Sequence, residues 1–460
     1  MQKRIDLKLI LAIIATGLLS FCGVIVETAM NITFPVLMRE FAINAATVQW
    51  MTTAYLLVVA IVVPLSAFLK RRFKTKTLFI AANLLFLLGL IIDALATNFT
   101  VLVFGRIAQG LGTGIALPLM FNIIIDWAPQ AQKGMLMGIG TLITAIAPAL
   151  GPTFGGFIVG SLGWHWIFIS LIPLLLVSLI LGIYAIQQAA PTVKTSFDFV
   201  SWLLIILLFT GFTLAFSHLA QIIQYPLRFC GWLLIGLIGL FGFIWRTKVS
   251  PQPLIKLTVF HNRSFNYHLI AFFLIQLCVL GLAFILPNYI QLVNGQSALL
   301  AGLFVLPGAA LGAIFAPLGG RILDRYGAAK PILTGASILT VALFFFVILG
   351  MRLTGLLILL IYLLLMMGTG LTMGNTMTSG LNQLTLAQQA DGNALFNTLQ
   401  QFAGAVGTSL VSALITLVQV QASGSAARKM ALGATVAFGL LFVFMLLNLI
   451  VISMAMKRRQ

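Results

Sequence analysis

Eight carboxylates are spread over 460 residues, few enough to weigh singly. Asp6, Asp198 and Asp391 fall in loops or at the ends of apolar segments, and Glu40 falls in a short connection. Asp126 and Asp324 sit where apolar segments meet basic residues, and a structural or gating role is the simpler reading there. Glu27 and Asp93 remain, inside apolar runs and at a depth similar to Arg106 in a third run. An arginine within an apolar span costs about 2.5–3.5 kcal/mol on insertion scales, so it is kept where a partner or a water-filled cavity receives it. A carboxyl group facing such a charge in a low-dielectric site titrates as water gains access, which is proton-carrier chemistry. Glu27 is therefore the leading candidate, with Arg106 as the tuning charge and Asp93 as the second acid. The alternatives are a permanent Glu27–Arg106 ion pair that ties helices together and a solvated Asp93 at the interface.

Other side chains point to binding rather than proton transfer. Gln109 lies one turn after Arg106 on the same face. Asn31, Gln276 and Asn375 are further polar groups within apolar runs, and Met366, Met367, Met373 and Met377 cluster around Asn375. Thioethers repack around varied shapes, so Met373 and Met377 with these polar groups form a candidate substrate surface, set against ordinary core packing. The three cysteines (22, 230, 278) are isolated and the four histidines (165, 218, 261, 268) are scattered, so neither a disulfide, a metal site nor an enzyme's catalytic cluster is expected.

These residues are embedded in an all-α membrane protein. The chain is 61% hydrophobic and 7% charged, with a mean hydropathy of +1.13. A soluble chain of this length cannot hide that much apolar surface, whereas a bilayer requires it. About fourteen apolar segments are long enough to span at 1.5 Å per residue: 9–35, 48–69, 77–97, 100–125, 134–160, 165–187, 199–217, 229–246, 266–290, 299–320, 331–350, 354–379, 395–418 and 433–456. With the N-terminus in the cytoplasm, twenty Lys and Arg fall inside and five outside, with Arg106 within a span. That asymmetry predicts a multi-pass cell-membrane protein with both termini cytoplasmic. The net charge of +18 is then a topology signal and a contact with lipid headgroups, and no nucleic-acid partner is expected. The first segment is too long for a signal-peptide core and is expected to remain as a membrane helix.

The segments repeat. Pro35, Pro64 and Arg72-Phe73 recur as Pro287, Pro317 and Arg325-Tyr326, 252 to 253 residues on. Parallel repeats build two bundles that rock about a central site. The chain thus divides into a six-helix bundle (1–190), two inserted helices with a linker (191–264) and a second six-helix bundle (265–460). Two inserted spans preserve the parity of crossings.

Four motifs lie on this frame. The fourth segment reads Gly105-Arg106-Ile107-Ala108-Gln109-Gly110, and the fifth carries Gly138, Pro148, Gly151, Pro152, Gly155 and Gly156. Prolines and close glycines there predict a bent helix with a flat face. Gly320-Arg321-Ile322-Leu323-Asp324-Arg325-Tyr326-Gly327 closes the second repeat, and Trp164-His165-Trp166-Ile167-Phe168 opens the sixth segment. In order and spacing these runs resemble the 14-spanner drug:proton antiporter family of the major facilitator superfamily. Pro64, Ser66, Ala67, Phe68 and Leu69 resemble its lincomycin-resistance-type branch.

The resemblance implies the major facilitator fold and proton-coupled efflux of lipophilic or cationic drugs by alternating access. It also implies no cofactor beyond the proton-motive force. The expected partners are small lipophilic substrates, protons and membrane lipids, and the chain is expected to act as a monomer. A specific lipid, siderophore or amino-acid-like metabolite is the alternative cargo. The gating residues implied are those of the fifth segment with Asp324, Arg325 and Gly327. Three departures stand out. Ala67, Arg71 and Lys74 replace the Gly, Asp and Gly of the first loop copy, leaving a charge-based latch to Asp324 alone. The helix-one acid is Glu27 where the family places it at the position of Val26. His165 replaces an arginine.

Overall fold

The computed structural model describes residues 6–457 apart from 31–32, 44, 189–190, 194, 220–221 and 223–224. Thirteen helices among the described residues are long and apolar enough to span, and a fourteenth, bent by 43° between Gln130–Pro148 and Thr153–Ser161, completes the set. Helices are the natural outcome because a bilayer offers backbone groups no water to bond. Their ends are capped from the sequence. Asn98 accepts from Val101 N at 3.0 Å and Ser297 from Leu300 N at 3.3 Å. Gly327 stops a helix at φ +83°, a conformation that favours glycine.

The first bundle contains α1 (Leu7–Met30), α2 (Phe34–Glu40), α3 (Ala45–Val62), α4 (Ser66–Arg72), α5 (Thr75–Ala94), α6 (Phe99–Trp127), α7 (Lys133–Ser161) and α8 (His165–Ala185). The inserted pair is α9 (Phe199–Ser217) and α10 (Pro226–Val249). The second bundle contains α11 (Arg263–Leu292), α12 (Ala298–Tyr326), α13 (Ala329–Leu349), α14 (Gly355–Leu381), α15 (Leu386–Gln421) and α16 (Ala426–Lys457). In the first bundle α1 packs on α6, α7 and α8, α5 on α6 and α8, and α3 on α6. The second repeats this scheme: α11 packs on α14, α15 and α16, α13 on α14 and α16, and α12 on α14.

Three local features differ from the sequence reading. The first apolar run is not one helix: α1 stops at Met30, and Pro35 opens the separate α2, where its missing N–H is harmless. Pro64 tightens its span into a 3-10 turn, Val63–Leu65, whereas the equivalent Pro317 lies within an unbroken α12. Asp391, read as a loop residue, stands in the second turn of α15, because a capping box of Thr385 and Gln388 starts that helix ahead of its apolar core.

The bundles meet along two seams. In one, α7 lies directly on α12: a Cβ on Gly320 would fall 2.2 Å from Gly134 O, and one on Gly138 would fall 2.5 Å from Ala316 O. In the other, α15 faces α3, α4 and α6, and α9 is wedged beside them, touching both α3 and α15. Phe209, Phe212 and Phe216 of α9 surround Phe402 of α15 at centroid distances of 6.4, 5.4 and 6.1 Å. Behind α9, α10 packs through Gly211 against Gly236 and Gly239 against Leu208.

Candidate functional site

A chain of buried polar groups runs through the half of the first bundle remote from the basic loops. Arg106 and Gln109 come from α6, Asp93 from the last turn of α5, Tyr55 from α3 and Glu27 from α1. Arg106 Nη1 donates to Gln109 Oε1 at 2.5 Å, and Gln109 Nε2 donates to Asp93 Oδ2 at 2.7 Å. Arg106, Gln109 and Asp93 are each fully buried. The guanidinium lies over the Tyr55 ring, 4.2 Å from its centroid, and the Tyr55 hydroxyl donates to Gly23 O at 2.8 Å. A desolvated cation–π contact of this kind stabilises by about 2 kcal/mol, offsetting much of the insertion cost of the charge.

The glycines make the arrangement possible. A Cβ on Gly105 would collide with Asp93 Oδ1, and one on Gly89 would lie 2.6 Å from both Gly105 O and Gln109 Cγ. The α5 and α6 backbones therefore approach until the carboxylate and amide meet. Asp93 is thus a buried partner of Gln109, not a solvated acid at the interface.

Glu27 is half-buried and lies within electrostatic reach of Arg106. Among the described residues Arg106 forms no direct ion pair with Glu27 or Asp93; the ion pairs found are Lys70–Asp126, Arg71–Asp391 and Arg246–Asp198. Arg106 Nη2 and Asp93 Oδ1 have no hydrogen-bond partner among those residues. Charge and counter-charge are held one amide apart, with a donor and an acceptor still to be satisfied.

The expected substrate residues fare differently. Gln109 spends both ends of its amide on Arg106 and Asp93, which makes it a connector. Asn31 lies outside the described residues. Asn375 donates to Leu371 O of its own helix at 2.6 Å and faces Gly319 of α12, while Met373, Met377 and Gln276 are buried. The structure does not bring these residues together at one open surface.

The residues expected to gate divide into groups. Gly138 faces α12 across the seam, and Gly151 and Gly155 let α7 close on Thr28 and Ala29 of α1. Pro148 and Pro152 bracket the bend of α7. Gly156 is exposed with open space where a Cβ would stand, so it belongs to no flat contact face. Asp324 accepts from Gly134 N at 2.9 Å and Met135 N at 3.0 Å, capping α7 of the other bundle. Arg325 is exposed beside the Tyr326 ring at 5.2 Å, with Gly327 ending the helix next to it.

Two sets of contacts were not expected from sequence. Arg71 pairs with the buried Asp391 at 3.0 Å, so a charged latch exists at the second seam too, contrary to the expectation that Asp324 stands alone. Higher in that seam, Asn393 Nδ2 of α15 donates to Pro118 O and Asn122 Oδ1 of α6, both at 3.0 Å, and Asn397 donates back to Asn393. The i, i+4 spacing of Asn393 and Asn397 on an apolar helix was the available signal.

A family model for the Major Facilitator Superfamily matches residues 16–408. The chain belongs to that superfamily. Across 416 residues it is 38% identical to the lincomycin resistance protein LmrB of Bacillus subtilis (strain 168), covering 89% of this chain and 86% of that protein. It is 30% identical over 426 residues to the multidrug resistance protein B homolog of Mycobacterium tuberculosis (strain CDC 1551 / Oshkosh), covering 90% and 77%. The fold is similar to that of the human organic anion transporter MFSD10, with a TM-score of 0.66 at 12% identity, over 95% of this chain and 99% of that one. Superfamily membership and the set of apolar helices make this a multi-pass membrane transporter.

Proposed function

We propose that this protein exports lipophilic drugs, lincosamides among them, across the cytoplasmic membrane in exchange for protons. The observation that carries the reading is the buried Asp93–Gln109–Arg106 chain with Glu27 in reach of its charge. A charge kept in an apolar bundle without a direct counter-ion is poised to respond when a neighbouring carboxyl gains or loses a proton. The names of the relatives, a lincomycin resistance protein and a multidrug resistance homolog, supply the cargo class. A proton falling through 100 mV yields about 2.3 kcal/mol. At 1.4 kcal/mol per decade that sustains roughly a 40-fold gradient of a neutral substrate.

On this reading Glu27 is the proton carrier, tuned directly by the charge of Arg106, which Gln109 ties to Asp93, and substrate passes between the bundles near the midplane. Both termini and the basic loops lie in the cytoplasm, following the charge asymmetry. On this reading the contacts Gly134–Gly320 and Asn393–Asn122, which close the seams between the bundles, keep the cytoplasmic side shut.

The test is substrate-induced proton release from proteoliposomes given lincomycin or ethidium. Glu27→Gln mimics the protonated state, so release and uphill export are lost while substrate binding persists. Uncoupler-sensitive uphill export by a folded Glu27→Gln protein would overturn the assignment.

A further inference from the structure

At the second seam the chain leaving the inserted helices is held between the bundles. Arg71, at the end of α4, is bound on every side. Its Nη1 donates to Asp391 Oδ1 at 3.0 Å, and its Nη2 donates to Leu254 O at 2.8 Å and Pro253 O at 3.3 Å. Its own carbonyl accepts from Val193 N at 2.8 Å. Asp391, fully buried on α15, also accepts from Lys256 N at 3.1 Å. Leu254 and Ile255 are 0% and 2% exposed, sunk in a cluster with Ala60, Ala67 and Phe68 of the first bundle and Ala394 of the second.

Residues 253–256 thus lie between the bundles as a filler strip, held by one bundle's arginine and the other's aspartate. The strip is anchored to the inserted pair at its upstream end. Ser196 N donates to Gln252 Oε1 at 2.6 Å, joining the chain that enters α9 to the chain that leaves α10, and Arg246 pairs with Asp198 at 3.2 Å. The opposite seam has no such filler, since its glycines bring α7 and α12 into direct contact.

We propose that the inserted hairpin is a clamp. It seats Pro253–Lys256 between α4 and α15 and so holds the basic face shut, with Arg71 and Asp391 as positioning residues for the strip rather than a bare ion-pair latch. The physical reason is the donor set. A planar guanidinium serves a carboxylate and two carbonyls at once, and the carboxylate's remaining lone pairs take the strip's N–H, so charge, strip and both bundles form one unit. Opening the basic face must break all of these contacts together. The proposal rests on the export reading only for what passes through the opened face.

The experiment reports opening without substrate. Thr378 is 1% exposed and lies one turn from Gly374 on the α14 face that meets α7. A Thr378→Cys reporter in a Cys230→Ser background is labelled with an impermeant maleimide in inside-out vesicles. Arg71→Gln and, separately, Leu254→Ala with Ile255→Ala each raise the labelling rate at least about fivefold, the lower end of ordinary conformational coupling. Combining them raises it little further, because they disrupt one unit. The charge swap Arg71→Asp with Asp391→Arg restores an ion pair but cannot donate to the strip's carbonyls from position 71, so labelling stays high. Parental labelling in the Leu254→Ala/Ile255→Ala protein, or in the charge swap, overturns the clamp and leaves a simple ion pair. If the swapped protein does not fold, the alanine pair decides alone. A parent that binds no lincomycin would overturn the export reading and leave this result standing.

Discussion

At Arg106 the physics of the site is set by one amide. A direct Arg–carboxylate contact would lock the charge, whereas Gln109 passes its influence to Asp93 while leaving Arg106 Nη2 and Asp93 Oδ1 unsatisfied. Gln109→Leu keeps the volume but severs both bonds, stranding a buried charge. Leaving a buried polar group without its partner costs about 1–3 kcal/mol, and more for a charged one, so the purified protein should melt at a clearly lower temperature in detergent. Asp93→Asn still accepts the bond from Gln109, so its melting should stay near that of the parent. With Glu27 as the proton carrier, its proton release per lincomycin exported should also stay near that of the parent. A large fall in proton release in the Asn variant would move the carrier role to Asp93.

At the scale of helices, the seam between α7 and α12 depends on the absence of side chains. Gly138→Leu would place a side chain where a Cβ already lies 2.5 Å from Ala316 O and 3.0 Å from Pro317 Cα. The helices must part, so accessibility of a Thr378→Cys reporter from the basic face should rise. Gly156→Leu, with open space around that position, should leave accessibility unchanged. Asp324→Asn can cap Gly134 or Met135 but not both, which weakens the tie between α12 and α7. A shift of about 1–3 kcal/mol is expected, smaller than that from Gly138→Leu and read by the same labelling. On the hairpin, burial pushes the Asp198 carboxyl up, but hydrogen bonds from Ser250, Ser201 and Arg246 outweigh it and hold the group below its ordinary value. Its contribution is therefore present at neutral pH and lost only as pH falls through that lowered value, so the Asp198–Arg246 tie should persist at pH 5.

For the whole molecule, the proposed orientation, with both termini in the cytoplasm, rests on the twenty-to-five split of basic residues. A reporter fused after Gln460 should register as cytoplasmic, and Lys70–Lys76 should resist impermeant amine reagents in intact cells. The bundles repeat one packing scheme, yet their seams differ: glycine against glycine on one side, an inserted hairpin and strip on the other. The two halves are thus closed by different chemistry at the same end of the molecule.

Much of this was legible from residues alone, because a membrane constrains a chain through composition. Fourteen spans, the parallel repeat and a bent fifth span follow from apolar length, proline spacing and basic loops, properties that depend on local sequence and on the bilayer. Glu27, Asp93 and Arg106 could be nominated because charges in apolar runs are scarce. What required tertiary structure was pairing. Asp391 looks like a loop acid until α15 begins early and meets Arg71, 320 positions away in sequence. Gln109 looks available for substrate until α5 closes against Gly105 and uses its amide. The second latch was hidden because its polarity is reversed, with the arginine at the end of α4 and the aspartate on the facing helix. Hydropathy and spacing report what each segment prefers, but which donor meets which acceptor is decided by how closely two backbones approach, and that depends on helices far apart in the chain.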